Sequence, residues 1–278
     1  MKKLKRSSRL VEMTQYLLAR PHTLISLTAF AERYQSAKSS ISEDLAIIKE
    51  VFEEEGIGQL HTLAGAAGGV KFKPMMPVAT SLAIINEVCQ TLQQPDRVLP
   101  GGYLYMTDML GQPKLLADIG KMFATAFAES QIDIIMTVET KGIPLAYATA
   151  ACMNIPVVIV RRDNKVTEGS AVSINYVSGS TKRIQTMSLA RRALKERSRV
   201  LIIDDFMKAG GTIQGMMDLL HEFNATVAGV GVLVESGEVE NEERLLTDYV
   251  SLANLIAVDM KTKQMEVVPG NYFAMPTN

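Results

Sequence analysis

Val200-Leu201-Ile202-Ile203-Asp204-Asp205-Phe206-Met207-Lys208-Ala209-Gly210-Gly211-Thr212-Ile213 is the stretch that decides the fold. Four consecutive apolar residues predict a strand buried on both faces, and two adjacent carboxylates follow where that strand should end. In open sheets of alternating strands and helices, ligands bind at the carboxyl ends of the strands. Adjacent carboxylates there can accept paired hydrogen bonds from the vicinal hydroxyls of a ribose. Gly210-Gly211 lets the backbone approach a ligand closely, and a helix predicted from about Thr212 to Phe223 offers free N–H groups and its positive dipole end to a phosphate. Thr212 adds a hydroxyl at the helix start. Gly-Gly alone would mean only a turn after two solvated acids. The ordered run of strand, acid pair, spacer, Gly-Gly-Thr and helix selects a sugar phosphate.

A second turn of the same kind precedes it. Thr140-Lys141-Gly142-Ile143-Pro144-Leu145-Ala146 follows a predicted strand, Ile132–Val138, and opens a helix over Ile143–Met153. Lys141, a backbone turn at Gly142 and a helix N-terminus together suit a diphosphate. Around these two turns the chain alternates helices (Ser81–Gln93, Pro113–Ser130) with strands (Val157–Val160, Val227–Val234), which predicts a parallel α/β sheet with helices on both faces. Residues 163–185 break the alternation. Polar and rich in Gly, Ser and Thr, with an alternating run Val172–Val177, they read as a long loop or hairpin over the strand ends. Residues 78–130 show no pattern that would read a base.

A different pattern precedes Lys73-Pro74-Met75-Met76-Pro77, which divides the chain into residues 1–74 and 75–278. Leu10, Met13, Tyr16, Leu17 and Leu18 mark one helix face, and Leu27 to Tyr34 a second helix with Thr28 as cap. Ser39 or Ser40 caps a third, whose apolar residues Ile41, Leu45, Ile48 and Phe52 recur at helical spacing and stop at Gly56. Gly58–Leu63 and Gly69–Lys73, flanking the glycine-rich Ala64–Gly68, form a strand-turn-strand signal. Three helices followed by a hairpin are the element order of a winged helix. Residues 1–40 carry eight basic residues (Lys2, Lys3, Lys5, Arg6, Arg9, Arg20, Arg33, Lys38) against Glu12 and Glu32, a local charge of +6 that suits a polyanion, although the whole chain sums to −1. Ala37-Lys38-Ser39-Ser40-Ile41-Ser42-Glu43-Asp44-Leu45 places small hydroxyls and a cation at a helix start, where they can reach phosphates or base edges. Lys71 and Lys73 on the hairpin are further phosphate contacts, and Gly65, Ala66, Ala67 and Gly68 let its tip approach a groove.

Composition narrows the rest. The chain has 278 residues, 47% hydrophobic and 21% charged, enough for two globular domains. Cys89 and Cys152 lie in apolar helical patterns and read as buried free thiols, and His22, His61 and His221 are scattered. Neither a disulfide framework nor a zinc site is expected. The longest apolar stretch, Leu145–Val160, is broken by Asn154 and Pro156 and is too short to span a bilayer, so a soluble, cytoplasmic protein is expected.

The acid-pair segment resembles the motif by which type I phosphoribosyltransferases bind phosphoribosyl pyrophosphate (PRPP). The resemblance implies that Asp204 and Asp205 hold the ribose hydroxyls and that Ala209, Gly210, Gly211 and Thr212 form the 5′-phosphate loop. Thr140, Lys141 and Gly142 are similar to the pyrophosphate loop of the orotate-type enzymes. Arg161 to Gly169 falls where these enzymes keep a mobile catalytic loop. Lys208 stands where a small residue is common, and Ala209 where threonine is usual. Over nearly its whole length the chain is similar to the purine-operon regulators of Gram-positive bacteria. The stretches include Lys38–Leu45, Leu99–Tyr103, Lys165–Ser170, Asn175–Ser180 and Asp204–Thr212. That family implies an N-terminal winged helix fused to a phosphoribosyltransferase-type α/β domain, homodimers on the control DNA of purine genes, and PRPP as effector without transferase activity. It adds magnesium as a candidate companion ion and guanosine tetraphosphate as a candidate competitor, with Phe206 and Lys208 on the base side. Lys3, Arg6, Lys38, Ser39, Ser40, Ser42 and Lys71 are the expected DNA contacts. The alternative is an active purine phosphoribosyltransferase with an accessory nucleic-acid-binding domain.

Overall fold

Apolar residues at helical spacing up to residue 52, and in strand-length runs after residue 130, build two separate cores. The computed structural model describes residues 4–65, 68–100, 103–163, 169–177, 184–237 and 244–274. The chain divides into two compact units, residues 1–77 with 152–154, and residues 78–151 with 155–278.

The smaller unit contains α1 (Arg6–Leu18), β1 (Leu24–Ser26), α2 (Leu27–Tyr34), α3 (Lys38–Glu54), β2 (Gly58–Leu63) and β3 (Gly69–Pro74). Met13 and Leu17 of α1, Phe30 and Tyr34 of α2, and Ile41, Leu45, Ile48 and Phe52 of α3 meet Ile25, Leu60, Val70 and Phe72 of the strands in one core. Phe52 and Phe72 pack with ring centroids 4.9 Å apart. The sheet is antiparallel in the order β1-β3-β2 and completes a winged helix. The capping expectations need correction. Ala37, not Ser39 or Ser40, is the residue before the first turn of α3 and makes no side-chain cap, so both serines lie inside that turn. For α2 the cap is Ser26 rather than Thr28: its hydroxyl accepts from the Ala29 N–H at 3.0 Å. In both cases the helix begins earlier than the expected capping residue, with Leu27 as the first residue of α2 and Lys38 as the first of α3.

One ion-pair cluster ties this unit together. Asp44 of α3 is fully buried and accepts from Arg9 Nε at 2.5 Å and from Arg6 Nε at 3.0 Å. Arg9 also donates to Ser36 Oγ at 3.0 Å, in the turn between α2 and α3. Arg9 is therefore a structural cation and leaves the positive surface counted from sequence.

The larger unit comprises α4 (Val78–Leu92), β4 (Val98–Leu99), β5 (Tyr103–Leu104), α5 (Pro113–Ala126), β6 (Ile134–Val138), α6 (Gly142–Met153), β7 (Val157–Val160), β8 (Ala171–Val177), β9 (Ile184–Ala190), β10 (Arg199–Met207), α7 (Gly211–Glu222), β11 (Thr226–Ser236), β12 (Val250–Asp259) and β13 (Gln264–Pro269). Its main sheet runs β13-β12-β11-β10-β6-β7, parallel except for the edge strand β13. On one face Phe123 of α5 packs so closely that a Cβ on Gly231 would stand 2.8 Å from it and from Ile203. On the other, Val200, Ile202, Val230 and Val232 meet Ile213, Met216, Leu219 and Leu220 of α7. Helices thus cover both faces, as the apolar strands require.

One further expectation changes. β10 does not stop at the acid pair but continues to Met207. Its pairing with β6 ends at Ile202, whereas its pairing with β11 persists to Met207. Of the two alternatives for residues 163–185, the described part forms paired strands, as the hairpin reading expects, and these pack into the core. Their strand β8 pairs with β9, and Tyr176, Met187 and Leu189 enter the core against α7. Cys89 is a buried free thiol with its pKa pushed up to about 11 by burial, while Cys152 is only half-buried.

Removing one member of a buried ion pair strands the other charge. Arg9→Met should cost ~3–5 kcal/mol. Arg6, with a side chain 55% exposed, should cost about 1 kcal/mol or less when replaced by Met. Denaturant unfolding of both variants checks this, and equal losses would contradict it.

Candidate functional site

The carboxyl ends of β6 and β10 open into one cleft of about 850 Å³ within the larger unit. Thr140, Lys141 and every residue from Asp204 to Thr212 line it, so two segments about sixty residues apart in sequence converge. Gly142 lies behind the wall. A Cβ there would stand 2.2 Å from Thr137 Oγ1 and 3.1 Å from Asp204 Oδ1, so only glycine lets α6 begin this close to the acid pair. The Glu139–Thr140 peptide is cis.

At the other turn Gly210 adopts φ +88, a left-handed conformation that glycine takes without steric cost, and precedes α7 as its cap. The first intrahelical bond runs from Gln214 N to Gly210 O at 2.8 Å. The amides of Gly211, Thr212 and Ile213 therefore belong to the turn that has no acceptor in its own helix. Together with the helix dipole they are able to hold an anion.

Asp204 is 4% exposed, and its Oδ1 accepts from the backbone N–H of Asp205 at 2.9 Å. Burial first, and the neighbouring Asp205 charge second, hold its pKa well above the usual carboxylate range. Burial also raises Asp205, while its hydrogen bond with Asp204 and then the charge of Lys141 pull it back. Of the pair, Asp204 is the carboxyl whose charged form is more disfavoured. Polar hydroxyls brought up by a ligand would supply the donors that the protein interior lacks here.

The cleft has walls that the sequence did not reveal. Leu99, Pro100, Tyr103, Leu104 and Met106, from the β4–β5 ribbon and the segment after it, give it an apolar and aromatic side. Arg97, 8% exposed, grips this ribbon by paired 2.9 Å bonds to Asp108 and a 3.1 Å bond to the Tyr105 carbonyl. Arg162 and Asp163 line the cleft as well. Glu139 accepts from the Arg162 N–H at 2.7 Å and from Arg161 Nη1 at 3.2 Å, joining the end of β6 to the segment after β7. Residues 164–168 of the expected mobile loop lie outside the described residues.

In the smaller unit, Lys38, Ser39, Ser40 and Ser42 all fall at the start of α3, with Lys38, Ser39 and Ser42 exposed and Ser40 half-buried. Lys71 is on β3 opposite His61, away from the hairpin tip. Lys73 and Lys71 lie near His22, whose pKa is lowered by burial first and then by these cations. Lys3 and the tip residues Ala66 and Ala67 lie outside the described residues.

Residues 5–74 match the family described as bacterial purine repressor, N-terminal, and residues 106–265 the phosphoribosyl transferase domain. Over 270 residues the chain is 62% identical to the purine biosynthesis transcriptional repressor PurR of Bacillus subtilis, covering 97% of this chain and 94% of that protein. The chain belongs to the purine biosynthesis transcription regulators. The regulator is also 44% identical over 270 residues to the purine biosynthesis transcriptional activator PurR of Lactococcus lactis subsp. lactis, covering 97% of this chain and 99% of that one. Among solved structures it is similar to adenine phosphoribosyltransferase from Rhodothermus marinus, with a TM-score of 0.52 and 24% identity, covering 61% of the regulator and 96% of that chain. That likeness carries the fold of the larger unit. The expectation of a winged helix joined to a phosphoribosyltransferase-type domain is thereby met, as is that of a transcription regulator of purine genes. Among the described residues no helix is long and apolar enough to cross a membrane.

The acid pair has a measurable consequence. Because the Asp204 pKa is raised in the folded state, the unfolded chain loses this proton first as pH rises past about 4. Stability therefore falls from there up to the folded-state pKa. Asp204→Asn keeps the acceptor for the Asp205 N–H and removes the charge. It should be more stable than the parent at pH 7, with the gap closing toward pH 4 in denaturant unfolding. Equal stability at pH 7 would mean that Asp204 carries no burial penalty.

Proposed function

We propose that the regulator binds PRPP in this cleft as an effector, without transferring its phosphoribosyl group, and that binding biases its affinity for the control DNA of purine genes. The observation that carries the reading is the convergence of the acid pair with two anion-binding turns around one cleft. On this reading Asp204 and Asp205 accept from the ribose hydroxyls. The amides of Ala209, Gly210, Gly211 and Thr212 seat the 5′-phosphate, and Thr140 and Lys141 meet the pyrophosphate. Magnesium accompanying the pyrophosphate fits a lining that also offers the carboxylates of Asp163 and Asp205. Guanosine tetraphosphate, also rich in phosphate, would compete for the same anion seats, with Phe206 and Lys208 toward its base. Lys3, Arg6, Lys38, Ser39, Ser40, Ser42 and Lys71 provide DNA contacts, in a homodimer that engages two half-sites.

Absence of turnover is supported by the departures at Lys208 and Ala209, where a cation replaces a small residue and one phosphate-binding hydroxyl is gone. Repression is the sign we infer, from the identity to the B. subtilis repressor; the lower identity to the L. lactis activator makes activation the second reading.

Replacing both Asp204 and Asp205 with Ala should abolish PRPP binding in calorimetry while leaving the DNA affinity of the ligand-free protein unchanged. In a gel-shift titration PRPP should then no longer move the curve. Native PRPP affinity in that variant would misplace the site. A response without PRPP binding would assign the switch to another ligand.

DNA binding should weaken steeply with salt, since each neutralised phosphate releases counterions. Lys38→Ala should lower affinity without unfolding the protein. Incubation with PRPP, magnesium and each purine or pyrimidine base should yield no nucleotide. Turnover at about 1 per second or faster would favour the transferase reading.

A further inference from the structure

The larger unit buries a second acid that the ligand reading does not use. Glu235, near the end of β11, is 5% exposed. Its Oε1 accepts from Ser251 Oγ at 2.6 Å, and its Oε2 accepts from Arg244 Nη1 at 2.6 Å and from the Tyr249 hydroxyl. Arg244 has only 11% of its side chain exposed, and its Nη2 donates to the Ser236 carbonyl at 2.9 Å. Both carboxylate oxygens are thus satisfied, as a buried charge requires.

The chain then leads directly from Arg244 to the expected phosphate loop. Leu245 N–H donates to the Ala209 carbonyl at 2.9 Å, and the Leu246 Cβ lies 3.4 Å from where a Cβ on Gly210 would stand. Ala209, Gly210 and Ser236 all line the cleft. A carbonyl oxygen facing a phosphate would repel it. Across a planar trans peptide the C=O and the next N–H point in opposite directions. Holding the Ala209 carbonyl back on Leu245 therefore turns the Gly210 N–H toward the space in front of α7.

We propose that Arg244, anchored on Glu235, is a positioning residue for the 5′-phosphate seat: it fixes Leu245 and Leu246 behind the loop and keeps the Ala209 carbonyl out of the cleft. The inference rests on the PRPP reading. It adds that the seat for the sugar phosphate depends on a side chain that touches no ligand, whereas the pyrophosphate turn at Thr140-Lys141 does not depend on it.

That asymmetry gives a test that a merely structural role would not pass. The full-length parent, Arg244→Met, and the double variant Glu235→Gln/Arg244→Met are titrated in parallel with PRPP, ribose 5-phosphate and inorganic pyrophosphate. The double variant removes the stranded carboxylate and so keeps the comparison open if the single variant folds poorly. Ribose 5-phosphate and PRPP should each bind about tenfold or more weakly to both variants, a loss of ~1.4 kcal/mol or more, with pyrophosphate affinity within about twofold of the parent. Unchanged affinity for ribose 5-phosphate, or equal losses for all three probes, would overturn the brace alone. If the parent bound neither PRPP nor ribose 5-phosphate, the PRPP reading would fall and this proposal with it.

Discussion

Two adjacent carboxylates, Asp204 buried and Asp205 half-buried, set the terms for the larger unit. Asp204 is placed by a strand that has lost one neighbour, β6, but keeps the other, β11, so its backbone is fixed while one flank opens onto the cleft. The glycine start of α6 comes within a methyl group of its oxygens. Burial disfavours the charge, and the Lys141 and Arg162 cations offset that only in part. A fold that keeps such a pair forgoes stability at that point, and sites of this kind are where binding chemistry concentrates. On the proposed reading, two donating ribose hydroxyls would relieve the penalty that the protein alone sustains.

The smaller unit solves a comparable problem in the opposite way. Asp44 is as deeply buried as Asp204, but two arginines from α1 meet it, and the result is a rigid start for α3 rather than a receptive site. Outside this cluster, Lys38, Ser39 and Ser42 are exposed. The same residue type therefore anchors a helix in one unit and lines an open cleft in the other. The difference lies in whether a cation from the chain itself completes the hydrogen bonds.

Much of this was legible in the sequence, because its signals were local. Val200–Ile203 read as a buried strand, and Gly210-Gly211 as a close-approach turn. The apolar spacing of Ile41, Leu45, Ile48 and Phe52 read as the third helix of a winged unit. What escaped was set by contacts distant in sequence. The β4–β5 wall of the cleft is held by Arg97 and Asp108 and has no periodicity of its own. β12 and β13 lie beyond the last strand read from the pattern, and β13 is antiparallel to its neighbour, so the helix–strand alternation gives no cue to it. Arg9 looked like one more cation of a basic arm, and only the fold shows its partner to be Asp44. Serine at a helix start is the stronger capping signal, yet Ala37 holds the cap position of α3, because tertiary packing of Ile41 and Leu45 outweighs a single cap.

The central claim is that one ligand in the cleft and DNA on the winged helix bias the same equilibrium. Coupling between two binding sites is reciprocal, so the factor by which PRPP changes DNA affinity must equal the factor by which DNA changes PRPP affinity. The most direct measurement is the PRPP dissociation constant of the free regulator and of the regulator saturated with control DNA, at one salt concentration. The account predicts two different constants, their ratio matching the shift of the DNA titration in saturating PRPP. Equal PRPP affinity in the presence and absence of DNA would contradict it.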